Sequence, residues 1–230
     1  MNKIYTVRPG DSLAAIARLA GIGLAELIAL NPQIENPNLI YAGQQIVVPV
    51  QTDRSDVIGR LARETYPDGT PPWFAVAARE EDTVERKPGT NPRIVEYLAT
   101  CKGLSAADRA SDETPWCSAF ANWCLLIAGI AGTRSAAALS WAGWGREDGA
   151  PGPGSIVVWR RLEGRQGQLR QVGGHVAFLV EDRGEGLYVL GGNQSDSVCR
   201  KTYPRNGLID RGGSDGIQQK YELVSIRTPI

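Results

Sequence analysis

Hydrophobic residues cover nearly the whole circumference of one segment of the chain, residues 114–128. This pattern predicts a helix that lies inside a domain rather than on its surface. Asp112 or Thr114 can cap the start of this helix, and Gly129 can end it. Cys117 then falls in the first turn, where free backbone amides and the positive end of the helix dipole stabilise a thiolate. A cysteine in this place is a candidate nucleophile, although a buried structural role is commoner.

The segments after this helix have the β-branched composition and the alternation that are typical of strands. Four strands are predicted, at residues 155–159, 175–180, 187–190 and 221–226. The charged segment 160–170 is predicted to be a loop. Two helices are predicted before the central one, at residues 73–80 and 92–103, and Glu80 is expected at a solvated helix end.

The first 50 residues predict a different order of elements: strand, helix, helix, strand. The strands are Ile4–Val7 and Gln45–Pro49. One face of the first helix carries four apolar residues, Leu13, Ile16, Ala17 and Ala20. The second helix is short and stops at Asn31-Pro32. The polar segment 50–55 has no periodicity, so a domain boundary is predicted there.

The composition narrows the classes of function. The chain has 230 residues, 25 of them basic and 25 acidic, and its formal net charge is zero. No long basic run is present, so electrostatics do not favour nucleic acid or an anionic membrane as a partner. The central helix is too short and too interrupted for a membrane span. We find no signal peptide at the N-terminus, so we expect synthesis in the cytoplasm and non-classical delivery if the protein acts outside it.

The four cysteines, Cys101, Cys117, Cys124 and Cys199, form no Cys-x-x-Cys pair, and His175 is the only histidine. A zinc site would need an unusual ligand set, so we expect neither a metal nor another cofactor. The sequence leaves open a disulfide between Cys101 and Cys199.

His175 and Asn193 are the residues that can complete a site around Cys117. They lie side by side at strand ends if strands 175–180 and 187–190 pair as a hairpin. A thiol nucleophile needs an imidazole that takes its proton and later delivers it to the leaving amine. The imidazole needs a third group that fixes its tautomer, and the side-chain carbonyl of Asn193 can do this. Taken singly, His175 fits a sheet-edge histidine and Asn193 a turn residue, but the set together favours catalysis.

Three motifs in the first 50 residues resemble those of a LysM module. They are Tyr5-Thr6-Val7-Arg8-Pro9-Gly10-Asp11-Ser12-Leu13, Leu30-Asn31-Pro32 and Ala42-Gly43-Gln44-Gln45-Ile46-Val47-Val48-Pro49. The resemblance implies binding of N-acetylglucosamine-containing polymers, peptidoglycan or chitin, in a shallow groove between two loops. Carried over by position, the groove residues are Gly10, Asp11, Ser12 and Leu13 on one side and Asn31, Pro32, Gln33 and Ile34 on the other. Asp11 and Asn31 also fit purely structural roles, as a helix cap and a turn residue.

The rest of the chain resembles the papain-like cell-wall amidases and peptidases, the NlpC-type and CHAP groups, and in particular NlpC-like proteins of phage and bacterial genomes. The similarity spans about residues 72–210. Its motifs are Asn91-Pro92-Arg93-Ile94-Val95-Glu96-Tyr97, Thr114-Pro115-Trp116-Cys117-Ser118-Ala119-Phe120, Gly173-Gly174-His175-Val176 and Leu190-Gly191-Gly192-Asn193-Gln194-Ser195. The resemblance implies Cys117 as nucleophile, His175 as base and Asn193 as the orienting group. Many relatives use a second histidine or an acidic residue in the third role, so Asp196 is a reserve candidate.

The sequence therefore predicts an α+β protein of two domains. A small βααβ LysM module at residues 1–50 is followed by a linker with a short helix at 51–71. A papain-like, NlpC-type domain at 72–230 has a central helix packed on an antiparallel sheet. The predicted function is peptidoglycan hydrolysis at an amide bond, as an endopeptidase or an N-acetylmuramoyl-L-alanine amidase, with the LysM module as the glycan anchor.

Two alternatives remain at this stage. The protein can instead be a non-catalytic peptidoglycan-binding component of a phage tail or secretion device. It can also be an acyltransferase or thioesterase acting on a small acyl group. As a lytic enzyme or antibacterial effector it would act at the cell wall or periplasm, after phage lysis or contact-dependent secretion. In the last case we expect an immunity protein as a further partner.

Overall fold

The structure, a computed structural model, describes residues 2–7, 11–20, 22–34, 36–37, 39–49, 69–165, 167–209 and 217–230. The chain divides into two units, Met1–Arg60 and Leu61–Ile230. The division falls within the predicted linker at 51–71, whose predicted helix lies outside the described residues. Each unit has a hydrophobic core of its own, as independent domains do.

The first unit has the strand–helix–helix–strand order that its hydrophobic pattern predicts. Its elements are β1 (Asn2–Thr6), α1 (Leu13–Leu19), α2 (Leu24–Ala29) and β2 (Gln45–Pro49). The two strands pair antiparallel, with Ile4 opposite Val47. The four residues predicted to share one face of α1 are all buried, and they pack with Val7, Leu27, Ile34, Ile46 and Val48.

Asn31 joins the second helix to the second strand inside this core. Its side chain is 0% exposed. The amide nitrogen donates to the backbone carbonyls of Leu27 and Val47, at 2.8 and 2.7 Å. The amide oxygen accepts from the backbone N–H of Val47 at 2.7 Å and from the side chain of Gln33 at 3.0 Å. The full hydrogen-bonding capacity of this side chain is therefore used within the fold.

The second unit combines helices with one antiparallel sheet. Its α-helices in the described range are α3 (Pro72–Ala78), α4 (Pro92–Leu98), α5 (Ala106–Arg109) and α6 (Cys117–Ile127), and a 3₁₀ helix spans Ala138–Trp141. The strands are β3 (Arg146–Glu147), β4 (Ile156–Gly164), β5 (Arg170–Asp182), β6 (Gly186–Gly191), β7 (Cys199–Pro204), β8 (Asn206–Ile209) and β9 (Gln218–Thr228). The sheet order is β3-β9-β4-β5-β6-β7, and β8 pairs with β9. The predicted α+β class is confirmed.

Helix α6 is the helix predicted from the apolar segment 114–128. Every residue from Cys117 to Leu125 is buried. Gly129 follows the helix with a φ of 78°, and the backbone N–H of Ile130 donates to the carbonyl of Leu125 at 2.8 Å. This is the glycine-dependent ending that the sequence predicts. The helix therefore forms the centre of the core between the other helices and the sheet.

The predicted caps of this helix are wrong. Trp116 occupies the N-cap position and makes no side-chain capping bond. Asp112, which is almost fully buried, instead accepts from the backbone N–H groups of Arg86 and Asn91, at 3.0 and 2.7 Å. The first turn of α6 thus keeps N–H groups that no side-chain cap occupies, next to Cys117.

The sheet curls so that β7 and β9 approach each other across its inner face. Tyr203 on β7 and Tyr221 on β9 have ring centroids 4.9 Å apart, although β4, β5 and β6 separate these strands in the sheet order. The outer face packs against the helices through Ile156, Val158, Val176, Phe178 and Leu190. The inner face encloses a second apolar cluster, made of Val157, Trp159, Ala177, Leu179, Leu187, Val189, Tyr203 and Tyr221.

Two predictions about the strands are corrected by their lengths. Strand β4 continues to Gly164 and β5 begins at Arg170, so the segment 160–170 is mostly strand rather than loop. His175 accordingly lies inside β5 instead of beginning a strand. The reason is pairing: β4 has a neighbour on each side, β5 and β9, and these bonds hold the polar end of the strand in the sheet.

Glu80 is buried, contrary to the predicted solvated helix end. Its carboxylate accepts from the guanidinium of Arg93 at 2.7 Å and from the hydroxyl of Tyr97 at 2.5 Å. A buried carboxylate is tolerated when it is paired and hydrogen-bonded in this way. The residue therefore links the end of α3 to α4 in a structural role.

Candidate active site

Cys117 begins α6, and its sulfur lies against an edge of β5. Strand β6 pairs with β5 only as far as Leu190 opposite Phe178 and ends at Gly191. Among the described residues, the edge of β5 before Phe178 therefore has no strand partner on this side. The backbone N–H of Val176 lies near enough to the Cys117 sulfur to lower the pKa of the thiol. Because Val176 directly follows His175, the helix start and the histidine meet at this edge.

The imidazole of His175 lies among aromatic rings on the inner face of the sheet. Its ring centroid is 6.1 Å from that of Trp159, with the planes nearly parallel, and 4.9 Å from that of Tyr203. The exposed fraction is 5% for His175 and 6% for Cys117. Both groups are therefore largely desolvated.

Gln194 fixes the tautomer of this imidazole. Its amide nitrogen donates to the backbone carbonyl of Cys199 at 2.5 Å, so its amide oxygen is the atom that lies 2.9 Å from His175 Nε2. An amide oxygen only accepts, so the neutral ring carries its proton on Nε2. This leaves Nδ1 as the basic nitrogen. Sequence reasoning missed Gln194, because it selected the neighbouring amide.

The hydrogen bond to the imidazole comes from Gln194 and not from the predicted Asn193, whose catalytic role stays a prediction. The turn between β6 and β7 has positive φ at Asn193 and Ser195, 55° each, and these angles point the side chains of successive residues in different directions. Asp196, the reserve candidate, is also turned away. Its side chain is 64% exposed and pairs with Lys87 at 3.5 Å. The residue that the turn presents to His175 is Gln194, which is 1% exposed.

Burial dominates the acidity of the Cys117 thiol. It raises the pKa of the thiol above its usual value, because the thiolate is desolvated. The N–H groups of Val176 and Ser118 and the positive charge of Arg161 lower that pKa in part. The sulfur therefore has donors in place for a thiolate, although the resting group is the neutral thiol.

Burial also controls His175. It lowers the pKa of the imidazole to about 4, against the opposing effect of the Gln194 hydrogen bond. The charges of Arg161 and Lys201 lower the pKa of the ring further. At neutral pH the pair rests as thiol and neutral imidazole, and the ring is in the form that can accept a proton.

We expect the second unit to lose stability between pH 6.5 and pH 4 through His175. In this window the unfolded chain binds a proton at the imidazole and the folded protein does not, so the free energy of unfolding falls as the pH decreases, by about 3 kcal/mol at most. All six tryptophans lie between Trp73 and Trp159, so urea unfolding followed by tryptophan fluorescence reports on this unit. His175→Gln should flatten the profile in this window. An equally steep profile in the variant would assign the loss to other groups.

Two domain families match separate parts of the chain. The LysM domain matches residues 5–49, and the CHAP domain matches residues 109–193. The chain carries a LysM domain and a CHAP domain. The CHAP match contains Cys117 and His175 and ends one residue before Gln194.

Individual relatives align with limited parts of the chain. The endolysin of Bacillus phage B103 is 32% identical over 90 residues, which cover 39% of this chain and 32% of the endolysin. The secreted LysM effector ECP6 of Passalora fulva is 52% identical over 46 residues, 20% of each chain. SpoIVD-associated factor A of Bacillus subtilis is 47% identical over 47 residues, 20% of this chain and 12% of that protein. The aligned parts thus span less than two thirds of each relative.

The predicted groove residues of the LysM domain differ in whether their side chains are exposed to solvent. Gly10 lies outside the described residues. Three others, Leu13, Asn31 and Ile34, have buried side chains, so only their backbone groups are available to a glycan. Core packing and the bonds of Asn31 use these side chains, and a role of the three residues in the groove stays a prediction.

The remaining groove residues stay predictions for glycan binding. Ser12, Pro32 and Gln33 are exposed. Asp11 is half-buried, and its carboxylate accepts from the hydroxyl of Tyr5 at 2.7 Å. Within the predicted groove, these four positions are the ones whose side chains are not buried.

All four cysteines are free thiols, so the disulfide between Cys101 and Cys199 that the sequence left open is not formed. Burial raises the pKa of Cys101 and of Cys124. Among the described residues, no cluster of three or more histidine, cysteine or acidic side chains could hold a metal ion. No helix in the described ranges is both long and apolar enough to cross a bilayer.

Proposed function

We propose that the chain is a peptidoglycan hydrolase in which the LysM domain binds glycan and the CHAP domain cleaves an amide bond in or near the stem peptide. The observation that carries the proposal is the meeting of Cys117, at the start of a buried helix, with the strand that holds His175. The two domain matches and a relative named endolysin support the cell wall as the substrate.

The reaction we propose follows from the tautomer of His175. Nδ1 accepts the thiol proton as the Cys117 sulfur attacks the amide carbonyl, and the imidazolium then gives this proton to the leaving amine. The N–H groups of the first turn of α6 are donors for the oxyanion. Water hydrolyses the resulting thioester, with the imidazole again as base. Gln194 holds the ring plane through both steps.

The experiment that tests this function is the clearing of purified sacculi by the full chain. We expect the turbidity to fall and soluble fragments to appear at neutral pH without added metal. The alternative, a non-catalytic peptidoglycan-binding component, predicts that the protein pellets with sacculi whose turbidity stays constant. An acyltransferase or thioesterase would leave the sacculi intact and act only on a small acyl donor.

Glycan binding by the LysM domain is a separate prediction. The double variant Pro32→Ala, Gln33→Ala should weaken co-sedimentation with sacculi roughly tenfold, because exposed groove contacts are lost. Hydrolysis of small soluble fragments should stay unchanged, since the tether acts only by raising local concentration. Glu26→Gln, an exposed change on α2 outside the predicted groove, is the control. Unchanged sedimentation of the double variant would place the glycan elsewhere.

The place of action is part of the proposal. The substrate is extracytoplasmic, so a lytic or antibacterial role requires delivery to the wall or periplasm by phage lysis or by contact-dependent secretion. A secreted effector would be neutralised by an immunity protein in the producing cell. Expression directed to the periplasm should lyse the host, and expression retained in the cytoplasm should not; equal survival in both cases would contradict this role.

A further inference from the structure

Arg161 lies on the inner face of the sheet, beside the candidate active site. It stands opposite Gly173 on β5 and Tyr221 on β9, two positions along β4 from Trp159, which is opposite His175. Residues two apart on a strand share a face, so Arg161 and His175 belong to the same surface. The charge of Arg161 acts on Cys117, His175 and Tyr203. Its guanidinium is therefore part of the surroundings of the reacting groups.

Within the residues that the structure describes, Arg161 has no hydrogen-bond or ion-pair partner that explains its position. Its Nε is buried and makes no hydrogen bond. No carboxylate in the described part of the chain forms an ion pair with Arg161, whereas Arg160 pairs with Glu222 at 3.6 Å. The other charged group that acts on His175, Lys201, is also positive. Arg161 as a whole is only half-buried, and its partly desolvated positive charge is uncompensated, so an anion beside the guanidinium would be bound favourably.

The strand position opposite Arg161 leaves room for such a ligand. Gly173 is half-buried, and a Cβ built on it would meet no atom within 4 Å. By contrast, a Cβ on Gly174, on the other face, would lie 2.7 Å from the carbonyl oxygen of Trp159. The open space therefore lies on the face shared by Arg161 and His175.

We propose that Arg161 binds a carboxylate of the substrate in the open space beside Gly173, and that the enzyme selects amides whose neighbouring residue carries a free carboxylate. Guanidinium binds carboxylate with paired, charge-assisted hydrogen bonds, which fix orientation as well as adding affinity. The carboxylate would hold the scissile amide over Cys117 and His175. The identity of the substrate rests on the proposed function, whereas the anion site itself does not.

Two alkylating reagents of nearly equal size test the anion site without any turnover. Iodoacetate and iodoacetamide both react when the Cys117 sulfur displaces iodide to form a thioether, but only iodoacetate carries a carboxylate. We expect the ratio of the iodoacetate to the iodoacetamide rate at Cys117 to fall roughly tenfold to a hundredfold in Arg161→Gln. Peptide mass spectrometry of the labelled protein measures both rates. An unchanged ratio would overturn the proposal.

Arg160→Gln is the matched control, because it removes the neighbouring arginine on the opposite face and should keep the wild-type ratio. Arg161→Lys keeps the charge but not the paired donors, and should give an intermediate ratio. The unmodified protein provides a test that does not depend on folding of a variant: N-acetylglycine should slow labelling of Cys117 by iodoacetamide, and N-acetylglycinamide should not. Equal effects of the two compounds would also overturn the proposal.

A pair of stem-peptide fragments then separates this inference from the proposed function. The fragments differ only in a free carboxylate or a carboxamide on the residue next to the scissile amide. We expect wild type to prefer the carboxylate roughly tenfold or more in kcat/KM, and Arg161→Gln to lose that preference while it still cleaves the carboxamide. Cleavage of both fragments without any preference would overturn the anion site. If neither fragment is cleaved, the proposed function fails, and the alkylation ratio alone decides on the anion site.

Discussion

Cys117→Ala should lower the rate of sacculus hydrolysis by at least about a thousandfold and leave binding to sacculi unchanged. The size of the effect follows from the role of the sulfur, because without it no covalent intermediate can form and only the binding contacts and oxyanion donors remain. Binding should persist because the LysM domain is a separate unit with its own core. Turbidity loss and co-sedimentation measure the two properties on one preparation.

Cys124→Ala is the matched control for this experiment. It removes a thiol from the same helix, two turns after Cys117, where the side chain is fully buried in the core. The change should cost some stability through the lost packing, but hydrolysis should remain close to that of wild type. If Cys117→Ala still releases soluble fragments at the wild-type rate, Cys117 is not the nucleophile.

Gln194→Leu should lower kcat about a hundredfold, whereas Asn193→Gly should change it by no more than a few-fold. Loss of the Gln194 oxygen frees the imidazole to rotate and to place its proton on either nitrogen, so the basic atom is no longer fixed. The hydrogen bond to the ring comes from Gln194, and glycine accepts the positive φ of Asn193 without strain. Kinetics on a soluble peptidoglycan fragment measure both changes. The opposite ranking would return the orienting role to Asn193.

Gln194→Glu provides a readout that loss of packing alone would not give. The carboxylate still accepts from His175 Nε2, and its negative charge stabilises the imidazolium. The pKa of the ring should then rise from its value of about 4, and the acid limb of the pH–rate profile should move to higher pH. An acid limb that stays in place, together with a full loss of activity, would point to damage of the turn instead.

The sequence points to Cys117 and His175 as candidate site residues because each has a strong local signal. An apolar segment with a glycine stop predicts a buried helix, and the position of Cys117 in its first turn follows from the start of that segment. His175 is the only histidine in the chain. The two residues are far apart in the chain. They come together because β6 pairs with β5 only from Phe178 onward, which leaves the preceding edge of β5 open to α6.

Gln194 and Arg161 could not be predicted in the same way. Backbone angles in the turn after β6 decide whether the side chain of Asn193 or that of Gln194 faces the imidazole. A sequence motif does not show in which direction a side chain in such a turn points. Arg161 was placed in a loop because its segment is charged. It becomes part of the sheet through pairing with β9, about 60 residues later in the chain. Such long-range pairing overrides local polarity.

In the LysM domain as well, the sequence predicted the elements but not how each side chain is used. Its order of elements and its core were predictable from periodicity and from the motifs. The motif carried Asn31 into the predicted groove, but the structure uses the whole side chain to hold β2 against α2. A residue of a binding motif can therefore be required by the fold. Exposed neighbours such as Gln33 are then the side chains that can contact the glycan.

Mass spectrometry of the fragments released from purified peptidoglycan tests the central claim most directly. Attack by the Cys117 sulfur on an amide must produce one new carboxylate and one new amine at the cleaved bond, with the glycan chain intact at that point. We expect these products from the full chain and none from Cys117→Ala. Fragments with new reducing sugar ends and uncut stem peptides would contradict the account.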